Sequence, residues 1–165
     1  TAHRRENFGQ PLEDICQALR TLAARYHDRL HLIYPVHLNP NVQEPVHRLL
    51  AGIDNISLLP PMDYLPMVHL QKEAVLVLTD SGGIQEEAAG LHKPTLVLRD
   101  VTERPEGVQA GVLQLVGTNP QRIVNAAVEL LENPQIYARM AQATNPFGDG
   151  YAAEKIIQAV LDFKA

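Results

Sequence analysis

The sequence contains few cysteines and few aromatic residues. It has one cysteine, Cys16, and no tryptophan among its 165 residues, and aromatic side chains make up 5% of the chain. A lone cysteine excludes a disulfide scaffold within the chain. No apolar run approaches the ~18–20 residues that a membrane-spanning helix needs. We therefore expect an ordinary hydrophobic core, since a chain of this length buries about 70% of its unfolded surface.

Positive charge is also scarce. Lysine and arginine number 14 against 19 aspartates and glutamates, which gives a net charge of -5. This balance argues against a broad nucleic-acid surface, which requires a basic footprint. A small anion such as a phosphate remains possible, because a few local groups can hold it. Residues 1–6 contain neither an initiator methionine nor an apolar signal segment, so we expect a cytoplasmic chain that is part of a longer protein.

Strand-like and helix-like patterns alternate along the chain. Apolar, β-branched runs predict strands over residues 30–36, 56–59, 74–79, 94–98 and 111–116. Helical spacing, Asn-Pro pairs and other capping residues predict helices over residues 11–27, 40–51, 63–70 and 81–91, and after Pro105, Asn119, Asn133 and Asp149–Gly150. This order predicts an α/β fold: one Rossmann-like three-layer α/β/α domain with a parallel sheet over residues 1–165. Such a domain normally begins with a strand, which would precede Thr1.

The strongest local signal is residues 79–88, TDSGGIQEEA, where a buried strand runs into a helix that opens with Gly82 and Gly83. The first N–H groups of a helix lack internal partners and carry partial positive charge. Glycines let a phosphate approach this backbone, and Ser81 can add a hydroxyl. Glu87 lies four residues after Gly83, on the same helix face, where it can accept hydrogen bonds from a ribose. The alternative is a purely structural strand–helix turn.

Three further polar segments also follow predicted strands. They are residues 3–6 (after the expected strand), 34–40 and 99–106. Alone, the first and third are typical of a solvated surface, and His37 in the second is typical of a capping or core residue. The carboxyl ends of parallel strands, however, meet at one edge of a sheet, where ligands bind. Together they predict a cleft suited to a nucleoside diphosphate, formed by His3, Arg5, His37, Ser81, Gly82, Gly83, Glu87, Arg99 and Arg104.

These segments, together with residues 145–150 (NPFGDG), resemble the bacterial non-hydrolysing UDP-N-acetylglucosamine 2-epimerases. The resemblance extends in order over essentially the whole chain. It implies the second, nucleotide-binding half of a two-domain fold of the kind shared with B-type glycosyltransferases. It also implies reversible epimerisation at C2 of UDP-GlcNAc to UDP-ManNAc, by elimination and re-addition of UDP, without a metal or redox cofactor.

The resemblance also implies roles for individual residues. It places UDP against Ser81, Gly82, Gly83, Glu87, Arg104 and Met67, the last of these near the uracil. It gives a catalytic role at the leaving phosphate to His3. It places a second, allosteric UDP-GlcNAc near Arg5 and His37.

The partners implied are an N-terminal domain that carries the acid and base carboxylates, and a second copy of the full-length protein in a homodimer. On this interpretation the isolated chain binds UDP weakly and is inactive. Two functional alternatives stay open. The first is the donor-nucleotide domain of a B-type UDP-sugar glycosyltransferase, and the second is a non-enzymatic nucleotide-sugar sensor.

Overall fold

A computed structural model of the chain describes residues 1–163. Over these residues the strands are β1 Leu32–Pro35, β2 Ile56–Leu59, β3 Val77–Thr79, β4 Thr95–Val97 and β5 Leu113–Leu115. The helices are α1 Gln10–Arg25, α2 Pro40–Leu50, α3 Tyr64–Glu73, α4 Gly82–Gly90, α5 Pro105–Gln109, α6 Pro120–Glu132, α7 Pro134–Ala141 and α8 Ala152–Asp162, preceded by a short 3-10 helix, Arg5–Asn7. All five predicted strands are present, each within its predicted range.

The strands pair in parallel, which confirms the predicted α/β class. They form two ladders, however: β1 pairs with β2, and β4 lies between β3 and β5. β1 and β3 share no pairing within residues 1–163. An apolar groove of about 350 Å³ lies between them, with a lining that includes Leu22, Leu32, Leu76, Leu78 and Leu98.

The first two residues of the chain connect the two ladders at their carboxyl ends. The Thr1 ammonium donates to the Leu78 carbonyl at 2.8 Å, and the Asp80 N–H donates to the Thr1 carbonyl at 3.2 Å. From the other side, the Tyr34 hydroxyl donates to the Ala2 carbonyl at 2.7 Å. The segment that continues into His3 is thereby fixed between the ends of β1 and β3.

The helices bury amphipathic faces on the ladders and on one another. The apolar face of α1, which includes Leu12, Ile15 and Leu22, is buried, and α1 packs against both α2 and α6. In contrast, the apolar residues of α8 are exposed: Ile156, Ile157, Val160 and Leu161. None of the helices over residues 1–163 has the length and apolarity needed to cross a membrane.

Most of the predicted helix starts are confirmed. Asn39, Asn119 and Asn133 each accept hydrogen bonds from N–H groups of the following first turn. The helix predicted over residues 63–70 was expected to begin with Asp63 as its cap. That expectation is wrong: among the described residues, the Asp63 side chain accepts no bond from the start of α3. The Asp63 carbonyl still accepts the Met67 N–H at 3.1 Å, so α3 begins where expected on backbone bonds alone.

Candidate functional site

The turn from β3 into α4 leads into a helix start that lacks a side-chain cap among the described residues. Ser81 occupies the N-cap position, but within residues 1–163 its side chain makes no capping bond to the helix. Its own N–H donates to the Thr79 hydroxyl at 3.0 Å, which fixes the turn. A Cβ added at Gly83 would meet no atom within 4 Å. The start of α4 therefore faces open space, as the Gly-Gly motif predicts for a phosphate site.

Two guanidinium groups border this helix start. The atoms nearest to a Cβ added at Gly82 are Nη2 of Arg4 at 3.5 Å and Nη2 of Arg104 at 3.8 Å. Two hydrogen bonds fix the orientation of the Arg104 side chain. Its Nε–H donates to the Glu86 carboxylate, and its Nη1 donates to the Glu103 carbonyl at 3.0 Å. The structure thus brings the predicted Arg104 to the predicted glycines and adds Arg4, which the sequence analysis did not select.

Glu87 lies one turn further along α4 and is held by a buried glutamine. Gln71, on α3, donates from Nε2 to Glu87 Oε2 at 2.8 Å. The Gln71 amide oxygen has no hydrogen-bond partner among residues 1–163, although the side chain is buried. The predicted uracil neighbour Met67 is half-buried on the same helix, which packs against α4. Met67 lies one turn before Gln71 on α3, and therefore on the helix face that carries the contact with Glu87.

A buried carboxylate connects the start of the chain to this site. Asp80, fully buried in the β3–α4 turn, accepts the backbone N–H groups of His3 at 2.9 Å and Arg4 at 2.8 Å. The buried side chain of Asn7 also donates to Asp80, at 3.0 Å, and to the Leu98 carbonyl at 3.1 Å. These hydrogen bonds hold the backbone of His3 and Arg4 beside the turn that precedes α4.

The two predicted site histidines are in contact. The rings of His3 and His37 stack with centroids 5.2 Å apart and planes at 13°. Nδ1 of His3 also lies 3.8 Å from Oδ1 of Asp80. Burial lowers the pKa of His3 below its ordinary value, and the negative charge of Asp80 partly opposes that shift. The structure therefore joins a residue predicted to be catalytic with one predicted to be allosteric.

Two predicted arginines stand apart from the helix start. Arg5 is exposed in the 3-10 helix, and its side chain forms no ion pair within the described part of the chain. Arg99 is buried and donates to both Glu6 and Glu103. Its hydrogen bonds hold the pKa of Glu103 at about 2. Arg99 thus stabilises the loops behind the site, and the expectation that it is a cleft cation is wrong.

Sequence reasoning also missed residues that the structure places at the site. Asp80 and Gln71 act on predicted site residues, yet neither was selected. The available signal for Asp80 was its position between a buried strand and a Gly-Gly pair. Across residues 1–163, no three His, Cys, Asp or Glu side chains lie close enough together to hold a metal ion.

Comparison with known proteins decides the family. The family profile described as UDP-N-acetylglucosamine 2-epimerase matches residues 1–161. The chain belongs to this family. It is 57% identical over 160 residues to a UDP-N-acetylglucosamine 2-epimerase from Yersinia pestis, covering 97% of this chain and 42% of that protein.

Solved structures of the epimerase family share the fold. The UDP-GlcNAc 2-epimerase from Neisseria meningitidis, solved with UDP-GlcNAc, superposes with a TM-score of 0.93 at 45% identity, over 98% of this chain and 43% of that one. The S. aureus protein MnaA, solved with UDP, gives 0.92 at 49% identity, over 96% of this chain and 43% of that one. The chain thus spans less than half of these relatives' length. Membership of the epimerase family favours the epimerase interpretation over the glycosyltransferase alternative.

Proposed function

We propose that this chain supplies the UDP-binding half of the cleft of a non-hydrolysing UDP-GlcNAc 2-epimerase. The observation that carries the proposal is the start of α4, which has no side-chain cap among residues 1–163, open space at Gly83 and the Arg104 guanidinium beside Gly82. Solved relatives with UDP or UDP-GlcNAc bound support the choice of ligand. In this proposal Ser81, Gly82, Gly83 and Arg104 hold the diphosphate.

The remaining groups fit the other parts of UDP. Glu87, oriented by Gln71, accepts hydrogen bonds from the ribose hydroxyls. Met67, half-buried on α3, covers a face of the uracil, a contact that suits its soft thioether side chain. The order along the site is therefore diphosphate at the start of α4, ribose one turn later, and base towards α3.

The reaction requires stabilisation of charge on the leaving diphosphate. Loss of the C2 proton and of UDP from C1 gives a glycal. UDP then adds back through a phosphate oxygen at C1, and a proton returns to the opposite face of C2. Fixed N–H donors and a guanidinium directed at the phosphates stabilise the charge as it develops. Asp80 holds the backbone of His3 against the turn that precedes α4, and we propose that His3 protonates the leaving phosphate.

Other parts of the proposal concern the rest of the molecule. We propose that the groove between β1 and β3 receives an extended strand of the same longer protein, because the groove is apolar and both strand edges are unpaired within residues 1–163. An N-terminal domain would then supply the acid and base carboxylates and close the cleft, which excludes water from the glycal.

A homodimer of the longer enzyme and a cytoplasmic location belong to the same proposal. The buried, unpaired thiol of Cys16 fits a reducing compartment.

We further propose that Arg5 and His37 contact a second, allosteric UDP-GlcNAc beside the substrate. The support is their position: His37 stacks on His3, and Arg5 is exposed two residues beyond His3. A ligand at this position would touch the residue that acts on the leaving phosphate. Coupling between the two sites would follow from that shared contact.

The test is a graft of this chain onto a relative's remaining half. The chain replaces the matching 160 residues of the Yersinia pestis protein, to which it is 57% identical. We expect the hybrid to convert UDP-GlcNAc to UDP-ManNAc, and we expect Gly83→Asp in the hybrid to abolish conversion. The matched control is Gly83→Ala, which adds a methyl group without charge and meets no protein atom within 4 Å, so it separates the steric from the electrostatic effect. A folded hybrid that consumes UDP-GlcNAc only by transfer to an acceptor, without forming UDP-ManNAc, would contradict the proposal.

A further inference from the structure

One buried carboxylate, Asp80, organises the segment that carries His3. Three donors from that segment converge on it: the N–H of His3 at 2.9 Å, the N–H of Arg4 at 2.8 Å and the Asn7 side-chain amide at 3.0 Å. Asp80 is fully buried. A buried carboxylate needs several hydrogen bonds to compensate for its lost hydration. The arrangement therefore fixes the backbone of residues 3–4 against the β3–α4 turn.

The same carboxylate faces the imidazole of His3. Oδ1 of Asp80 lies 3.8 Å from Nδ1, and the ring of His37 stacks on the ring of His3. The 3.8 Å separation exceeds a hydrogen bond, but catalytic hydrogen bonds in ligand-free proteins are often long and shorten when substrate binds. Nδ1 is thus the ring nitrogen directed at a negative charge.

We propose that Asp80 is a positioning residue, which keeps Nδ1 of His3 protonated and directs Nε2 to the leaving phosphate of UDP. This inference rests on the proposed role of His3. The Nε2 proton of the His3 imidazolium passes to the phosphate oxygen as the C1–O bond breaks. Neutral His3 then retains its proton on Nδ1, beside Asp80. When UDP adds back, the proton returns from the phosphate to Nε2.

The charged groups around the ring set the conditions for a test. Four groups act on the charge of His3. Asp80 lies in the β3–α4 turn and His37 in the segment after β1. Arg4 and the Thr1 amine belong to the same segment as His3. Burial lowers the pKa of the Thr1 amine to about 6. Above pH 8 that amine is therefore uncharged, and His3, whose pKa is lowered, is neutral.

The first measurement is the tautomer of His3 in this chain. Imidazole ¹⁵N shifts at pH 8.5 distinguish Nδ1–H from Nε2–H. We expect the Nδ1–H tautomer for His3, since Asp80 accepts at that nitrogen. A His3 ring protonated on Nε2 alone would overturn the proposal. This result needs no variant, so it decides the question even if substitutions at Asp80 prevent folding.

The second measurement uses a variant that removes the negative charge of Asp80. Asp80→Asn is expected to lower the pKa of His3 further and to raise the fraction of the Nε2–H tautomer. The matched control is Asp28→Asn. Asp28 accepts from Nδ1 of the exposed His27 at 3.0 Å and raises its pKa, so this change should move only His27. An Asp80→Asn chain with unchanged His3 pKa and tautomer would show that Asp80 only anchors the backbone, and would overturn the proposal.

The third readout is kinetic, in the graft onto the Yersinia pestis protein. We expect Asp80→Asn to lower kcat about 100-fold, within the range for a positioned acid–base group, with little change in KM. A rise in KM with unchanged kcat would overturn the proposal, because it would place Asp80 in ligand binding alone. A different result would contradict the proposed function and not the role of Asp80. In that case Gly83→Asp would leave UDP binding unchanged, while His3 would still show the expected Nδ1–H tautomer.

Discussion

The start of α4 differs from the starts of α2, α6 and α7. The latter three follow an Asn-Pro pair, and the side chains of Asn39, Asn119 and Asn133 accept N–H groups of the first turn at 2.9–3.2 Å. At α4 the residue in the capping position is Ser81, and its side chain accepts no such bond within residues 1–163. Two glycines follow it in place of proline.

On the proposed function, this difference separates helix starts that stabilise the fold from one that binds a ligand. An Asn cap satisfies donors internally and is worth about 1 kcal/mol of stability. Among residues 1–163, the start of α4 has no side-chain cap for its donors, although glycine in a helix costs about 1 kcal/mol relative to alanine. A bound anion would satisfy these donors. Substitutions at the two kinds of start should therefore have opposite consequences.

The largest expected effect is that of Gly83→Asp on UDP binding. The new carboxylate would stand at the positive end of α4 and repel the diphosphate, so we expect the affinity to fall at least about 100-fold, or about 2.7 kcal/mol. Isothermal titration with UDP measures it. The control Gly83→Ala should retain binding within a few-fold. Equal affinities for the Asp and Ala variants would remove the distinction between α4 and the capped helices.

Arg104→Gln should have the next largest effect. Losing one charge-assisted hydrogen bond to a phosphate should weaken UDP binding about tenfold, or about 1.4 kcal/mol. Arg122→Gln is the matched control, because Arg122 lies in the first turn of the capped helix α6. If both substitutions weaken binding equally, the effect comes from net charge and not from the position of Arg104.

A crossed pair of substitutions sharpens the comparison further. Asn119→Ala should lower the free energy of unfolding by about 1 kcal/mol in urea denaturation and leave UDP affinity unchanged. Ser81→Ala should do the reverse: a few-fold loss of UDP affinity with little loss of stability, because its hydroxyl caps nothing within the described residues. A stability loss at Ser81 as large as that at Asn119 would mean that both starts are structural.

The smallest effect concerns the ribose. Glu87→Gln should reduce the preference for UDP over 2′-deoxy-UDP a few-fold, because a neutral amide is a weaker acceptor than a carboxylate for the 2′-hydroxyl. Glu129→Gln, on the exposed face of α6, is the control. Competition binding with the two nucleotides measures the ratio. An unchanged ratio would place the ribose away from Glu87.

Local patterns carried most of what the sequence predicted correctly. Each Asn-Pro pair marks a helix start because the cap and the fixed φ of proline act within a few residues. The Gly82–Gly83 start after a buried strand was equally local. The pattern alone did not say which phosphate compound binds there. The family resemblance of the chain, confirmed by the match over residues 1–161, led to the proposal of UDP.

The errors arose where distant segments meet. Arg99 was predicted to face the cleft, but Glu6 and Glu103 neutralise it, and Glu6 lies 93 residues away. Asp80 was missed because its donors come from the start of the chain, 73 to 77 residues earlier. Pairings of this kind leave no periodic signal in one sequence.

The most direct test of the central claim follows backbone amides during a UDP titration. Proton–nitrogen NMR spectra of this chain report on each helix start separately, even when binding is weak. We predict large shifts for the amides of Gly82 and Gly83, and none for Gln121 and Arg122, which Asn119 already caps. Saturating UDP that leaves the two glycine amides unmoved, or moves both helix starts alike, would contradict the account.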